Sequence, residues 1–150
     1  GYLRGVAASI QVAPNTIFTS FLSYKNLPAN QQLDSLGNSF VSSISTTGLH
    51  RTKTERDRKN ILREITTGYH LNYRLPFLEI GTTGMITKYN LPIQRNPSDY
   101  NQFALNGNQL LNLGLNYSLY LDNFSFFGEF ALSQGNYLGL ISGVLFGLGY

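Results

Sequence analysis

The stretch Gln109-Leu-Leu-Asn-Leu-Gly-Leu-Asn-Tyr-Ser-Leu-Tyr-Leu-Asp-Asn-Phe-Ser-Phe-Phe-Gly-Glu-Phe-Ala-Leu132 decides the fold, because leucine and phenylalanine recur in it at every second position. A two-residue period belongs to a strand, in which successive side chains point to opposite faces. Leu111, Leu113, Leu115, Tyr117, Leu119 and Leu121 fall on one face, and Asn112, Gly114, Asn116, Ser118 and Tyr120 on the other. Asp122 and Asn123 make a turn. The period then resumes with Phe124, Phe126, Phe130 and Leu132 against Ser125, Glu129 and Ser133, and Phe127 is the apolar exception on the polar side. Two such ribbons side by side present a broad apolar face. That face suits either half of a soluble sandwich core or the lipid-facing wall of a transmembrane β-barrel.

Working outward, the same pattern predicts about seven strands, each of roughly 9–11 residues or a little more, the length that crosses a bilayer when tilted. They cover 2–12, 17–24, 61–74, 77–89, 109–121, 124–133 and 137–150. Ala13-Pro14-Asn15, Leu75-Pro76 and Asp122-Asn123 are tight connections, whereas 25–60 and 90–108 are long and rich in Asn, Gln, Ser and Pro. Short turns at one end and long loops at the other is the asymmetry of outer-membrane barrels, and a soluble sandwich has no reason to sort its loops so. The short connection Gln134-Gly135-Asn136 departs from that sorting. The strands at 61–74 and 77–89 supply a polar face: Glu64, Thr66, Gly68, His70, Asn72 and Arg74, then Glu79, Gly81, Thr83 and Thr87. Their other face carries Ile65, Thr67, Tyr69, Leu71 and Tyr73, then Leu78, Ile80, Thr82 and Ile86. Tyrosines and phenylalanines near strand ends (Tyr24, Tyr73, Tyr89, Tyr120, Phe124) fit interfacial girdles. The expected fold is therefore all-β, an antiparallel up-and-down transmembrane β-barrel, present as a partial barrel of about seven strands. Residues 1–150 form one barrel segment, with outer loops at 25–60 and 90–108. Because single-chain bacterial barrels have an even number of strands, an odd count reads as an internal piece of a longer barrel, or as an eight-stranded barrel short of one strand.

Composition agrees. Of 150 residues 42% are hydrophobic and only 13% charged, against about a quarter charged in an ordinary soluble domain. There is no cysteine for a disulfide or a thiolate metal site. No apolar run of about 18 residues is present to cross a membrane as a helix, and the N-terminus lacks the basic start and apolar core of a signal peptide.

The net charge of +3 comes from one cluster, in which His50, Arg51, Lys53, Arg56, Arg58 and Lys59 outweigh Glu55 and Asp57. Such a cluster grips anions such as lipopolysaccharide phosphate. Its plainer reading is a solvated outer loop with a short helix started at Thr54, which stands at N-cap spacing from Asp57. It has no interleaved aromatic residues to stack bases, so nucleic acid gains no support as a partner. Glu64, His70, Arg74, Glu79 and Glu129 are the candidate lumen residues, either a pore lining or a polar network that stiffens the wall; Arg74 and Glu79 flank a turn on one face, within reach of an ion pair. No nucleophile stands beside these carboxylates and no metal-ligand spacing occurs around either histidine. No catalytic, metal or cofactor site is expected, and the chain reads as a non-enzyme.

The segments Phe21-Leu-Ser-Tyr-Lys25, Ser43-Ile-Ser-Thr-Thr-Gly-Leu-His-Arg-Thr52, Pro92-Ile-Gln-Arg95, Tyr100-Asn-Gln-Phe103 and Asn123-Phe-Ser-Phe-Phe-Gly-Glu-Phe130 resemble a family of Bacteroidota outer-membrane proteins. Members of that family carry an N-terminal helix-hairpin-helix region followed by a large β-barrel. The likeness runs from about Leu3 to Val144, all within the barrel part, and Thr-Gly-Leu-His-Arg-Thr is its most specific piece. It implies residence in the bacterial outer membrane, with lipid and other envelope proteins as partners. The DNA-linked region is absent from these residues. Three function classes follow: a channel or structural subunit of an envelope complex, which is preferred; a recognition or uptake barrel using the basic loop 47–60, with nucleic-acid import as one version; and a soluble ligand-binding sandwich or lipocalin-like barrel.

Overall fold

The computed structural model describes residues 4–45, 52–95, 104–135 and 137–147. Among them the chain is all-β apart from one helical turn. The order is β1 (Gly5–Ala13), β2 (Thr16–Leu27), β3 (Ala29–Leu33), β4 (Ser39–Ile44), α1 (Lys53–Asp57), β5 (Leu62–Arg74), β6 (Leu78–Ile93), β7 (Gly107–Leu121), β8 (Phe124–Ser133) and β9 (Tyr137–Phe146). Seven strands follow one another through an up-and-down antiparallel sheet as β1-β2-β5-β6-β7-β8-β9, and β1 and β9 are the two ends of that order. No helix among the described residues is long and apolar enough to cross a membrane.

Among the described residues nine strands are present where about seven are expected, and the two additions lie in the segment expected as the outer loop 25–60. There β2 continues to Leu27, and β3 and β4 form a hairpin running from Ala29↔Ile44 to Leu33↔Ser39, with a bulge between Asn30 and Gln31. The tip is closed by Asp34, whose carboxylate accepts from the main-chain N–H groups of Leu36 (2.8 Å) and Asn38 (2.9 Å), and by Gly37 in the left-handed region at φ 83°. Asn30, Gln31 and Gln32 carry no apolar alternation, so the sequence pattern alone predicts a loop; burial of Ala29 and Val41 against neighbouring strands makes it a hairpin all the same. The loop 90–108 is shorter than expected, since β6 reaches Ile93 and β7 begins at Gly107. The helix starts at Lys53, so Thr52 and not Thr54 precedes its first turn, and the Thr52 carbonyl accepts from the Arg56 N–H. His50 and Arg51 lie outside the described residues.

The chain divides into two compact units. One comprises Gly1–Gly5, Ser23–Thr66 and Thr87–Leu110 and contains the buried apolar core, Ala29, Val41, Leu62 and Ile93, flanked by Leu27, Ile44, Ile61, Tyr89, Leu91 and Leu105. A parallel contact pairs Val41 of β4 with Ile93 of β6, and the Gln94 N–H donates to the Val41 carbonyl over 2.9 Å.

The other unit comprises Val6–Leu22, Thr67–Ile86 and Leu111–Tyr150. Its register reproduces the period of the sequence. Leu113, Leu115, Leu119 and Leu121 of β7 stand opposite Leu132, Phe130, Phe126 and Phe124 of β8, while Asn112 and Asn116 stand opposite Ser133 and Glu129. β9 continues the alternation, with Phe126↔Val144 and Phe130↔Leu140. Nothing among the described residues covers the apolar face: Leu115 is 48% exposed, Val144 55% and Leu140 78%. Phe127, the exception on the polar side, lies against Gly143 of β9, where its ring occupies the space a side chain would need. That contact accounts for one glycine in the glycine-rich last strand.

Candidate functional site

Two polar clusters sit on the strands, one in each unit. In the first unit Lys25 of β2 meets Glu64 of β5 across 2.9 Å, with side chains only 21% and 10% exposed. The Thr66 hydroxyl also donates to Glu64 (3.4 Å) and shares a hydrogen bond with the Thr87 hydroxyl of β6 (3.1 Å), both threonines being buried. Glu64 is thus met by one cation and one hydroxyl, the kind of partners a carboxylate shielded from water requires. On the opposite face of the same strands the Arg63 guanidinium lies over the Tyr24 ring, 6.0 Å from its centroid, and the Arg63 main-chain N–H donates to the Asn90 side-chain oxygen.

In the second unit Arg74, at the end of β5, grips Glu79, near the start of β6, in a two-pronged ion pair: Nε to Oε2 over 3.2 Å and Nη2 to Oε1 over 2.8 Å. Asn72 donates to Glu79 Oε1 over 2.8 Å, and its own Oδ1 is the single buried side-chain polar atom without a partner among the described residues. The turn that makes this approach possible is tied by hydrogen bonds in both directions between Leu75 and Leu78. An open cavity of about 690 Å³ lies beside the pair, lined among others by Gln11, Asn15, Asn72, Arg74, Glu79 and Tyr120. His70 shares a 2.9 Å hydrogen bond with Thr83 of β6. Glu129 stands opposite Asn116 and lines a smaller hollow with Thr83 and Asn112.

Of the five candidate lumen residues the structure therefore joins Arg74 with Glu79, gives Glu64 and His70 separate partners, and leaves Glu129 opposite an amide. In the basic segment Lys53, Arg56, Arg58 and Lys59 are exposed, and the segment is fastened where the Arg58 carbonyl accepts from the Ala29 N–H over 3.1 Å. No group of His, Asp or Glu able to hold a metal occurs among the described residues.

Sequence reasoning misses Lys25, which falls at the start of the expected 25–60 loop, although the alternation Thr19, Phe21, Ser23, Lys25 carries it onto one face of β2. Comparisons with protein-family models, with curated proteins and with solved structures return no match.

Proposed function

We propose that this chain is wall of a bacterial outer-membrane β-barrel, non-enzymatic, acting as a channel or as a structural subunit of an envelope complex. The observation that carries the proposal is the uncovered apolar face of the second unit. Val6, Ile10, Leu111, Leu113, Leu115, Tyr117, Phe124, Phe126 and Phe130 are each between 38% and 74% exposed. Soluble monomers rarely leave contiguous apolar patches beyond a few hundred Å² open to water, whereas a barrel wall turns such a face to lipid and keeps its polar face for the lumen. Asn112, Asn116, Glu129, His70, Thr83 and Glu79 supply the second face that the design needs. The likeness to the Bacteroidota outer-membrane family supports the same compartment, with lipid and envelope proteins as partners.

A soluble ligand-binding sandwich would pack the Leu111 to Leu121 face against a second sheet, and no second sheet covers it among the described residues. The recognition reading draws on the exposed cations Lys53, Arg56, Arg58 and Lys59, which suit a phosphate-bearing surface component. The deciding experiment is fractionation of the native full-length protein with heat-dependent gel migration. Recovery in the outer membrane with a band that shifts on boiling is the expected result. Recovery as a soluble monomer would sink the proposal.

A further inference from the structure

We infer that the β3–β4 hairpin and the Lys25–Glu64 pair form a selectivity constriction on the polar face of the first unit. The inference rests on the channel reading above and adds to it the residues that sort solutes.

Leu62 stands two positions before Glu64 on β5, so the two project from the same face of that strand. Ala29 of β3 and Val41 of β4 close with Leu62 and Ile93 into a cluster no more than 2% exposed. The hairpin is therefore folded over the face that carries Glu64 and is not held away from it. Main-chain bonds fix it there: Val41 pairs with Ile93, the Gln94 N–H donates to the Val41 carbonyl over 2.9 Å, and the Ala29 N–H donates to the Arg58 carbonyl over 3.1 Å. A loop lying free in solvent would make none of these contacts.

On that same face Lys25 and Glu64 pair at 2.9 Å, with the Thr66 hydroxyl on the carboxylate over 3.4 Å. The pair is balanced in charge and mostly shielded from bulk water. Removing either partner leaves one charge that water screens poorly, and rings or pairs of such charges decide which ions pass a pore. Arg63, the nearest cation on β5, lies on the opposite face over Tyr24 and does not contribute.

Full-length protein, purified from membranes and inserted into planar bilayers in a potassium chloride gradient, tests this. Glu64→Gln leaves Lys25 unopposed and is expected to move the reversal potential towards anions by a severalfold change in permeability ratio. Lys25→Met is expected to move it the other way, and the double variant to return close to wild type. Val41→Asp, which undocks the hairpin, is expected to raise conductance, including from silence if the wild type is closed. Insertion with an unmoved reversal potential in both single variants overturns the inference, and so does a pore that is silent both as wild type and as Val41→Asp. Absence of a heat-modifiable outer-membrane species for the wild type is a different result, because it removes the channel reading itself.

Discussion

Tyr117 of β7 lies directly across from Gly128 of β8, and its ring covers the glycine: a side-chain carbon built at position 128 would meet Tyr117 Cε1 at 2.6 Å. Gly128 falls in the apolar row of β8 between Phe126 and Phe130, where the alternation otherwise demands a large residue. The tyrosine supplies the missing surface from the neighbouring strand, an arrangement that shields an otherwise bare stretch of backbone. Tyr69 stands over Gly84 in the same way. Gly128→Ala is therefore expected to destabilise the wall by about 1–3 kcal/mol, the usual cost of forcing an extra carbon into a filled space. Urea titrations of protein refolded into lipid vesicles measure it. An unchanged midpoint would mean that the tyrosine swings aside without cost.

Leu115 sits opposite Phe130 in the exposed apolar row, and its neighbour Asn116 points to the polar side opposite Glu129. Leu115→Arg places a cation on the face proposed to meet lipid and is expected to cost about 2–4 kcal/mol near mid-bilayer. Asn116→Arg, one residue along, meets a carboxylate in a polar row and is expected to cost much less. The contrast is what matters, since strand propensity is shared by the two sites. Equal losses in refolding titrations would put the sheet's lipid-facing assignment in error.

How far this was readable beforehand differs along the chain. The faces of β7 and β8 follow from the two-residue period alone, because both faces are long and chemically distinct: Leu against Asn, Phe against Ser. β9 shows less, as Ile141 and Leu145 stand opposite Glu129 and Ser125 and blur the alternation with apolar residues on both sides. β3 and β4 were invisible to periodicity. Their order depends on Val41 and Ala29 reaching Leu62 and Ile93, contacts distant in sequence, although the turn Asp34-Ser-Leu-Gly-Asn38 between Gln32 and Phe40 carries a recognisable hairpin signal. The candidate site divides the same way. Arg74 and Glu79 flank a turn, so their pairing is local; Lys25 and Glu64 are far apart in sequence, and only the extended length of β2 brings the lysine into reach.

The buried hydroxyls of Thr66 and Thr87, 3.1 Å apart, make a second energetic test within the polar cluster. Thr66→Val removes one partner and leaves the Thr87 hydroxyl shut away from water, which is expected to cost about 1–3 kcal/mol. Replacing both by valine removes the orphan together with its partner. The Thr66→Val/Thr87→Val double variant is therefore expected to recover most of the loss, apart from the hydrogen bond from Thr66 to Glu64. A double-mutant cycle on unfolding free energies gives the coupling, and strict additivity would show that the two hydroxyls act independently.

Asp34 closes the hairpin tip with a carboxylate that accepts from the main-chain N–H and the side-chain amide of Asn38, and from the Leu36 N–H. The main-chain bond from Asn38, reinforced by its side chain, holds the Asp34 carboxyl below its ordinary value of 3.8. Folding therefore favours the ionised form. Its contribution to the tip is complete above pH 3.8 and fades as the pH falls through the lower folded value. A carboxyl titration followed by NMR is expected to show a midpoint under 3.8 for Asp34, with the Leu36 and Asn38 amide signals moving in step. Asp34→Asn keeps an acceptor but removes the charge, so it should abolish that acid-side amide response while leaving the Gly37 turn in place. A midpoint at or above 3.8 would mean that water, and not the turn, solvates the carboxylate, and that the tip is not closed in the way the hydrogen bonds describe.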